Sequence, residues 1–405
     1  MNVDLLIKNS RVVDFSQDFI GDVYIKNGII HEIGRDLEKD CKIIDGIGKV
    51  LMPSFIDLHA HFREPGYTYK EDIESGCKAA AKGGYTYVNL MANTNPVCSN
   101  MNTVNYVIDK ADKIGLIDVH QAVSITKEFD GETVNHIDEL DEKVKVISED
   151  GKDVMNSKTM LKAMAKAKEK NILVMCHCEN HDLSSTDMRL AEDTMTWRNI
   201  TLAQYTGCSV HISHVSTRKS MEYIIEAKKK GRNVTCEVTP HHIALQDDVK
   251  YRVNPPLRKK EDRDFLIKAI REGWVDAIGT DHAPHSYEDK VKGAPGISGI
   301  ETAFSVCYSY LVREKEISLS KLSEIMSKNP AKIMNLNRGQ IKIGFSGDLV
   351  LIDLDKDYTV DSDLFISKGK NTPFQGKKLY GKVEKTIKSG EIIYDLEKGG
   401  FNYGN

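Results

Sequence analysis

The chain has 405 residues, enough for one large domain of barrel size and a small one beside it. Its 56 Lys plus Arg against 60 Asp plus Glu give a formal net charge of −4, which argues against a broad nucleic-acid-binding surface. No apolar run approaches the ~20 residues of a membrane helix, and the opening MNVDLLIKNS lacks a signal-peptide layout, so a cytoplasmic protein is expected.

Residues 1–52 alternate or run β-branched in short stretches (DLLIKNSRVVD, GDVYIKNGIIHEIG, CKIIDGIGKVLM), with a Lys-Asn-Gly turn, and predict a small β module. His31 lies within it as a surface strand residue. From Pro53 the texture changes to strands alternating with helices. Eight apolar strand candidates follow: FIDLHAH, YTYVNLMAN (85–93), DVHQAVSIT (118–126), VKVISED (144–150), ILVMCHCE (172–179), SVHISHVS (209–216), NVTCEVTPHH (233–242) and VDAIGTDHAPH (275–285). Helical stretches such as YKEDIESGCKAAAKGG, DVMNSKTMLKAMAKAKEK and TRKSMEYIIEAKKKG separate them, the last two ending in lysines that suit a helix C-terminus. This pattern predicts an α/β fold, a (β/α)8 barrel over 53–335. A doubly wound sheet is the alternative, but no Gly-rich dinucleotide turn follows the first strand. After Asn335 strand texture returns (IKIGFSGDLVLIDLD, KVEKTIKSGEIIYD), so 1–52 and 336–405 are expected to pair into one β-sandwich.

Eight cysteines are scattered with no two-residue gap between any pair, which argues against a zinc knuckle or a disulfide framework. Cys176 and Cys178 flank His177 in an apolar strand and read as small core residues on the opposite face.

In such a barrel, functional groups collect at the C-terminal ends of the strands. The first strand ends in His59 and His61, which share a face because strand side chains alternate. The fourth ends in Ser148, Glu149, Asp150 and Gly151, the fifth in His177, the sixth in His211 and His214, and the eighth in Asp281, His282 and His285. Imidazoles and carboxylates gathered from five strands suit a divalent metal. His211 and His214 are three apart, so His214, nearer the strand end, is the better ligand, and His211 packs behind. His241 and His242 line the mouth as ligands or bystanders, whereas His120, His136 and His181 read as structural or surface residues.

HAHFREPG, MANTNP, SEDG, the histidine in CHCEN, HISHVST, VNPPLR and GTDHAPH, with NTPFQGKKLYGKV near the C-terminus, make the chain resemble the cyclic amidohydrolases. Within them it is most similar to the bacterial dihydroorotases of the longer, sandwich-bearing type. The resemblance implies zinc, one or two ions per subunit and more in keeping with two. His59, His61 and Asp281 would hold one ion, His177 and His214 the other, and Asp150 would bridge them. It implies reversible hydrolysis of dihydroorotate to N-carbamoyl-L-aspartate, the third step of pyrimidine biosynthesis, with Asp281 moving the proton. Arg63, Asn93 and His285, beside His61, would bind the substrate carboxylate, and Asn254, Pro295 and Gly296 would contact the ring. A homodimer and an association with aspartate transcarbamoylase are the partners the resemblance brings. Hydantoinases and allantoinases place a carbamylated lysine at the bridge, with Lys145 and Lys152 nearby but off the motif. A cyclic amidase of that kind is the second reading. A non-catalytic scaffold for the transcarbamoylase is the third, against which every expected ligand is present. Arg63 has Glu64 and Asp72 as alternative partners, Asn93 could simply end its strand, and HSYEDKVKGAPGISG, polar and Gly-rich, is expected to be a mobile loop over the mouth.

Overall fold

The computed structural model describes residues 4–401. The N-terminal runs form β1 (Leu5–Val13), β2 (Asp18–Lys26), β3 (Ile29–Gly34), β4 (Lys42–Asp45) and β5 (Val50–Pro53). Then come β6 (Phe55–Ala60), β7 (Tyr85–Leu90), β8 (Asp118–Gln121), β9 (Val146–Ser148), β10 (Leu173–Cys176), β11 (Val210–Ile212), β12 (Val234–Val238) and β13 (Ala277–Ile278). The C-terminal runs give β14 (Leu349–Thr359), β15 (Lys378–Lys388), β16 (Glu391–Asp395) and β17 (Gly400–Phe401).

The terminal segments share one sheet, ordered β17-β16-β15-β14-β5-β1-β2-β3, with β4 paired to β1. The splice is β5 against β14, antiparallel, with Leu51 opposite Leu351. Asn27 and Gly28 turn β2 into β3 with φ of 53° and 79°, the left-handed pair that tight hairpins require. The sheet curls: Gly347 N donates to Gly28 O at 2.8 Å, and Gly390 N donates to Gly347 O at 3.2 Å. Enclosed between its strands lies an aliphatic core that includes Leu5, Ile25, Leu51, Leu349 and Ile387.

Strands β6 to β13 are parallel in two arcs, β6-β7-β8 and β13-β12-β11-β10-β9. Single bridges close the barrel, Val123 with Ile147 and Ala60 with His282. Helices α1 (Ile73–Lys82), α2 (Met101–Ile114), α3 (Ser157–Glu169), α4 (His181–Ser184), α5 (Met188–Thr206), α6 (Arg218–Lys229), α7 (Pro240–Ala244), α8 (Lys260–Arg271) and α9 (Tyr287–Val291) follow in turn. Short polar side chains start several of them, Asp72 at α1, Asn100 at α2, Asn156 at α3 and Thr217 at α6 each accepting a backbone N–H of the first turn. Among the described residues no helix is long and apolar enough to cross a membrane.

Two expectations change. The regular strands are much shorter than their apolar runs, β13 covering two residues of the stretch 275–285. The chain leaves the sheet early there so that its polar residues can turn into the mouth. Nor is 285–299 a free loop. It contains α9, opened by a reciprocal Ser286–Asp289 cap, and Lys290 Nζ reaches the carbonyls of Ala294 (2.8 Å), Gly296 (3.0 Å) and Arg252 (3.1 Å).

Candidate metal centre and active site

At the C-terminal mouth of the barrel four imidazoles surround one carboxylate. Asp150 Oδ1 lies 3.3 Å from His59 Nε2, 3.4 Å from His177 Nδ1 and 3.6 Å from His214 Nε2. Its Oδ2 lies 3.5 Å from His61 Nε2. Asp281 Oδ1 is 3.2 Å from His61 Nε2 and 3.7 Å from His59 Nε2. Two sets, His59/His61/Asp150 and Asp150/His177/His214, bring ligand atoms within 4.8 Å of one another, with Asp150 in both.

Outer contacts settle which nitrogen three of the four rings present. His59 Nδ1 lies 2.7 Å from Glu237 Oε1, His61 Nδ1 2.8 Å from Asn93 Oδ1, and His177 Nε2 3.0 Å from Glu179 Oε2. These oxygens only accept, so in a neutral ring the contacting nitrogen carries the hydrogen and the inward one keeps its lone pair. Among the described buried side-chain atoms without a hydrogen-bond partner are His59 Nε2 and Asp150 Oδ1. Leaving such atoms unmatched costs ~1–3 kcal/mol each, and a cation among imidazole lone pairs and a carboxylate removes that cost. The residues therefore fit a divalent metal.

Charge is arranged to match. Burial opposes ionisation of Asp150, but the His59, His177 and His214 imidazoles gathered around it outweigh burial and hold its carboxyl well below the usual range. For Asp281 burial is likewise overcome, by the neighbouring His61, His59 and His214 imidazoles, so its pKa is depressed. Glu237, despite burial, is held at about 2 by its hydrogen bonds to His211 and His59. The mouth is thus built of anionic carboxylates and nitrogen donors.

Backbone strain accompanies it. Arg63, His214 and Asp281 adopt φ of 61°, 33° and 47°, a left-handed conformation costing non-glycine residues on the order of 1–3 kcal/mol, repaid by surrounding structure. Asp57, two residues before His59, fixes the last of these bends by accepting Thr280 N at 3.0 Å.

The cleft above the ligands, about 190 Å³, is lined by His61, Arg63, Asn93, Asp150, Gly151, His177, His214, Asn254, Asp281, Ala283, His285, Pro295 and Gly296. His59 lies beneath it, fully buried. Asn93 Nδ2 also approaches Asp150 Oδ2 at 3.5 Å, and Asn254 Nδ2 donates to Glu179 Oε2 at 2.8 Å.

Arg63 pairs with neither Glu64 nor Asp72. Glu64 accepts from Lys110 (2.6 Å) and Ile73 N (3.0 Å), while Asp72 caps α1 and meets Lys368. The Arg63 guanidinium instead meets Pro284 O and His285 Nε2, each at 3.3 Å. His285 Nδ1 faces Lys70 Nζ at 3.4 Å. Burial and then the charges of Arg63 and Lys70 push the His285 pKa down to about 3, so its ring is neutral between two cations. Asp289 Oδ2 lies 3.3 Å from Lys70 Nζ, whereas the Arg63 guanidinium faces the cleft.

Other candidates fall away from the mouth. Lys145 Nζ donates to Met334 O at 3.0 Å, at the opposite end of β9, and Lys152 Nζ lies over the Phe129 ring, so neither stands between the histidines. His211 Nε2 faces Glu237 Oε2 at 3.4 Å, and His242 is tied to Thr239 and Pro255 O, so neither lines the cleft. Glu237 and Glu179 escaped notice in sequence. A lone glutamate inside the apolar run VTCEV was the available signal for the first.

Residues 50–393 match the amidohydrolase family. The chain is 54% identical to the dihydroorotase of Clostridium botulinum (strain Eklund 17B / Type B) over 97% of its own length and all of that protein. It is 40% identical to the dihydroorotase of Aquifex aeolicus (strain VF5) over 96% of this chain and 99% of that one. Among solved structures, dihydropyrimidinase from Brevibacillus agri NCHU1002 superposes with a TM-score of 0.87 at 26% identity, covering 96% of this chain and 95% of that one. L-hydantoinase from Arthrobacter aurescens gives a TM-score of 0.90 over 99% and 98% of the two chains, a likeness of fold alone at 23% identity. With its family match spanning the barrel and its relatives aligned end to end, the chain belongs to the amidohydrolase family and, within it, to the dihydroorotases.

Proposed function

We propose that this metal-dependent cyclic amide hydrolase interconverts dihydroorotate and N-carbamoyl-L-aspartate through the residues just described. Arg63 carries the reading: its guanidinium, without a carboxylate hydrogen-bond partner among the described residues, lines the cleft beside the ligand cluster. A ring amide bearing its own carboxylate supplies the missing anion, and a planar guanidinium suits it bidentately. Hydantoinases resemble the fold, but Asp150 stands where the lysine bridge of that reading would be, and the Arg63 guanidinium favours the acidic ring.

His59, His61 and Asp281 would hold one zinc ion, His177 and His214 a second, with Asp150 between them. When bound, such metals supply Lewis acidity that makes water nucleophilic near neutral pH and polarises a carbonyl. Asp281, kept anionic by the surrounding imidazoles, takes the proton of the attacking water and delivers it to the departing ring nitrogen. In the synthetic direction the same carboxylate withdraws a proton from the carbamoyl nitrogen. Arg63, Asn93 and His285, beside His61, hold the substrate carboxylate, while Asn254 and the backbone at Pro295 and Gly296 orient the ring. Seven of the eight cysteines are buried free thiols, which favours the reducing cytoplasm as the site of this pyrimidine-forming step.

The direct test is ultraviolet-monitored loss of dihydroorotate by purified protein. Turnover is expected to vanish on chelation and return with zinc. Activity on hydantoin or allantoin in place of dihydroorotate would establish the second reading instead.

Glu237 supplies a separate check on the ligand set. It accepts from His59 and leaves no room beside Gly279, where an added Cβ would lie 2.3 Å from Glu237 Oε2. Glu237→Gln is expected to weaken zinc binding by roughly 10–100-fold, the usual cost of altering a carboxylate behind a ligating histidine. Equilibrium competition with a chromophoric chelator measures it, and unchanged affinity would remove Glu237 from that role.

A further inference from the structure

The C-terminal NTPF stretch begins at Asn371, 86 residues beyond His285 and from the part of the chain that forms the curled sheet, yet it reaches the catalytic mouth. Asn371 Oδ1 accepts His285 N at 2.9 Å and the Ser298 hydroxyl at 2.8 Å. Its Nδ2 donates to Gly296 O at 3.0 Å and Ala283 O at 3.3 Å. Its backbone carbonyl accepts Ser298 N at 2.7 Å. A primary amide offers two lone pairs and two hydrogens, and all four are engaged across both stems of one loop.

The approach of this segment is itself fixed. Glu301 Oε1 accepts Ile366 N at 2.8 Å and Ser367 N at 3.0 Å. Glu71, fully buried, accepts Lys368 N at 3.2 Å and the Ser367 hydroxyl. Gly369 then passes so close that an added Cβ would lie 2.6 Å from Pro284 Cβ and 2.8 Å from both Asn371 Oδ1 and Ser298 Oγ. The loop held in this way presents His285 on one stem and Pro295 and Gly296 on the other.

We infer that Asn371 is a positioning residue for substrate binding: delivered by the C-terminal segment, it clamps both stems of the 283–298 loop and so sets the carboxylate- and ring-contacting edge of the cleft. It touches neither metal ligands nor the reacting atoms, so its loss loosens substrate binding more than turnover. The inference rests on the functional reading above for its kinetic consequence, and on geometry alone for the clamp.

Asn371→Asp is nearly isosteric and keeps both acceptor contacts, but turns the donor end into an oxygen facing two carbonyls. It is expected to raise KM for dihydroorotate by roughly 10-fold with kcat within about threefold of the parent, since it disturbs binding geometry rather than the reacting groups. Gly369→Ala, which wedges the same contacts from another residue, is expected to shift KM in the same direction and carries the test if the first variant does not fold. Hydrogen exchange of the zinc-loaded full chain is expected to show faster exchange at the His285 and Ser298 amides in both variants. Unchanged exchange at these amides, or an unchanged KM with reduced kcat, would overturn the inference. If the parent protein does not turn over dihydroorotate, the functional reading fails, and amide exchange still decides the clamp.

Discussion

Asp281→Asn is expected to lower kcat by roughly 10³-fold or more, at the upper end of what general acid–base groups contribute. The substitution preserves size and the bend at φ 47° equally well, because asparagine also tolerates the left-handed region. What changes is proton affinity: an amide cannot take the proton that leaves the attacking water, nor hand one to the ring nitrogen. The carboxylate is suited to the task because His61 and the other neighbouring imidazoles outweigh burial and keep it ionised. Neither set of ligand atoms gathered at Asp150 includes it, so at least about one equivalent of zinc, at His177 and His214, should survive the change. Kinetics and metal content measured on one preparation separate the cases. A kcat within tenfold of the parent would take the proton-moving role from Asp281. A lost kcat with no metal retained would make it a ligand on which the whole cluster depends.

The eight barrel strands were legible because β-branched, apolar runs separated by Lys-rich amphipathic stretches leave few other folds open. Their ends were not. Alternation along a strand places His59 and His61 on one face, and that stretch is regular to Ala60. It fails at β11 and β13, where His214 and Asp281 lie past the last residue of the regular strand in left-handed backbone that no periodicity describes. Barrel closure was hidden for the same reason, resting on isolated bridges at Ala60 and Val123.

Features set by distant partners were the least legible. Composition made 285–299 look mobile, yet its order comes from Asn371 on one side and the Arg252 carbonyl, through Lys290, on the other. Glu237 acquires its place behind His59 from a contact spanning 178 residues. Arg63 shows the converse: local sequence offers it Glu64 and Asp72, and tertiary structure gives both of those to other partners. A local reading cannot see which acids are already engaged.

That engagement is why Arg63→Met should be the second most damaging change. The substitution keeps the packing of the aliphatic stem and removes the charge, and kcat/KM for dihydroorotate is expected to fall by roughly 10²–10³-fold. Two charge-assisted hydrogen bonds, each worth ~1.5–3 kcal/mol, would be lost from a desolvated site, with Lys70 too far round the His285 ring to replace them fully. Because the carboxylate stays bound while the ring amide reacts, most of the loss should appear in KM. Arg63→Lys separates charge from shape: an ammonium restores attraction but not the planar fork, so it should recover only part of the loss. Equal activity in the Lys variant and the parent would mean that charge alone holds the substrate. A fall in kcat at constant KM would mean that Arg63 acts on the reacting amide, and binding of the carboxylate would then have to be assigned to Lys70 and His285.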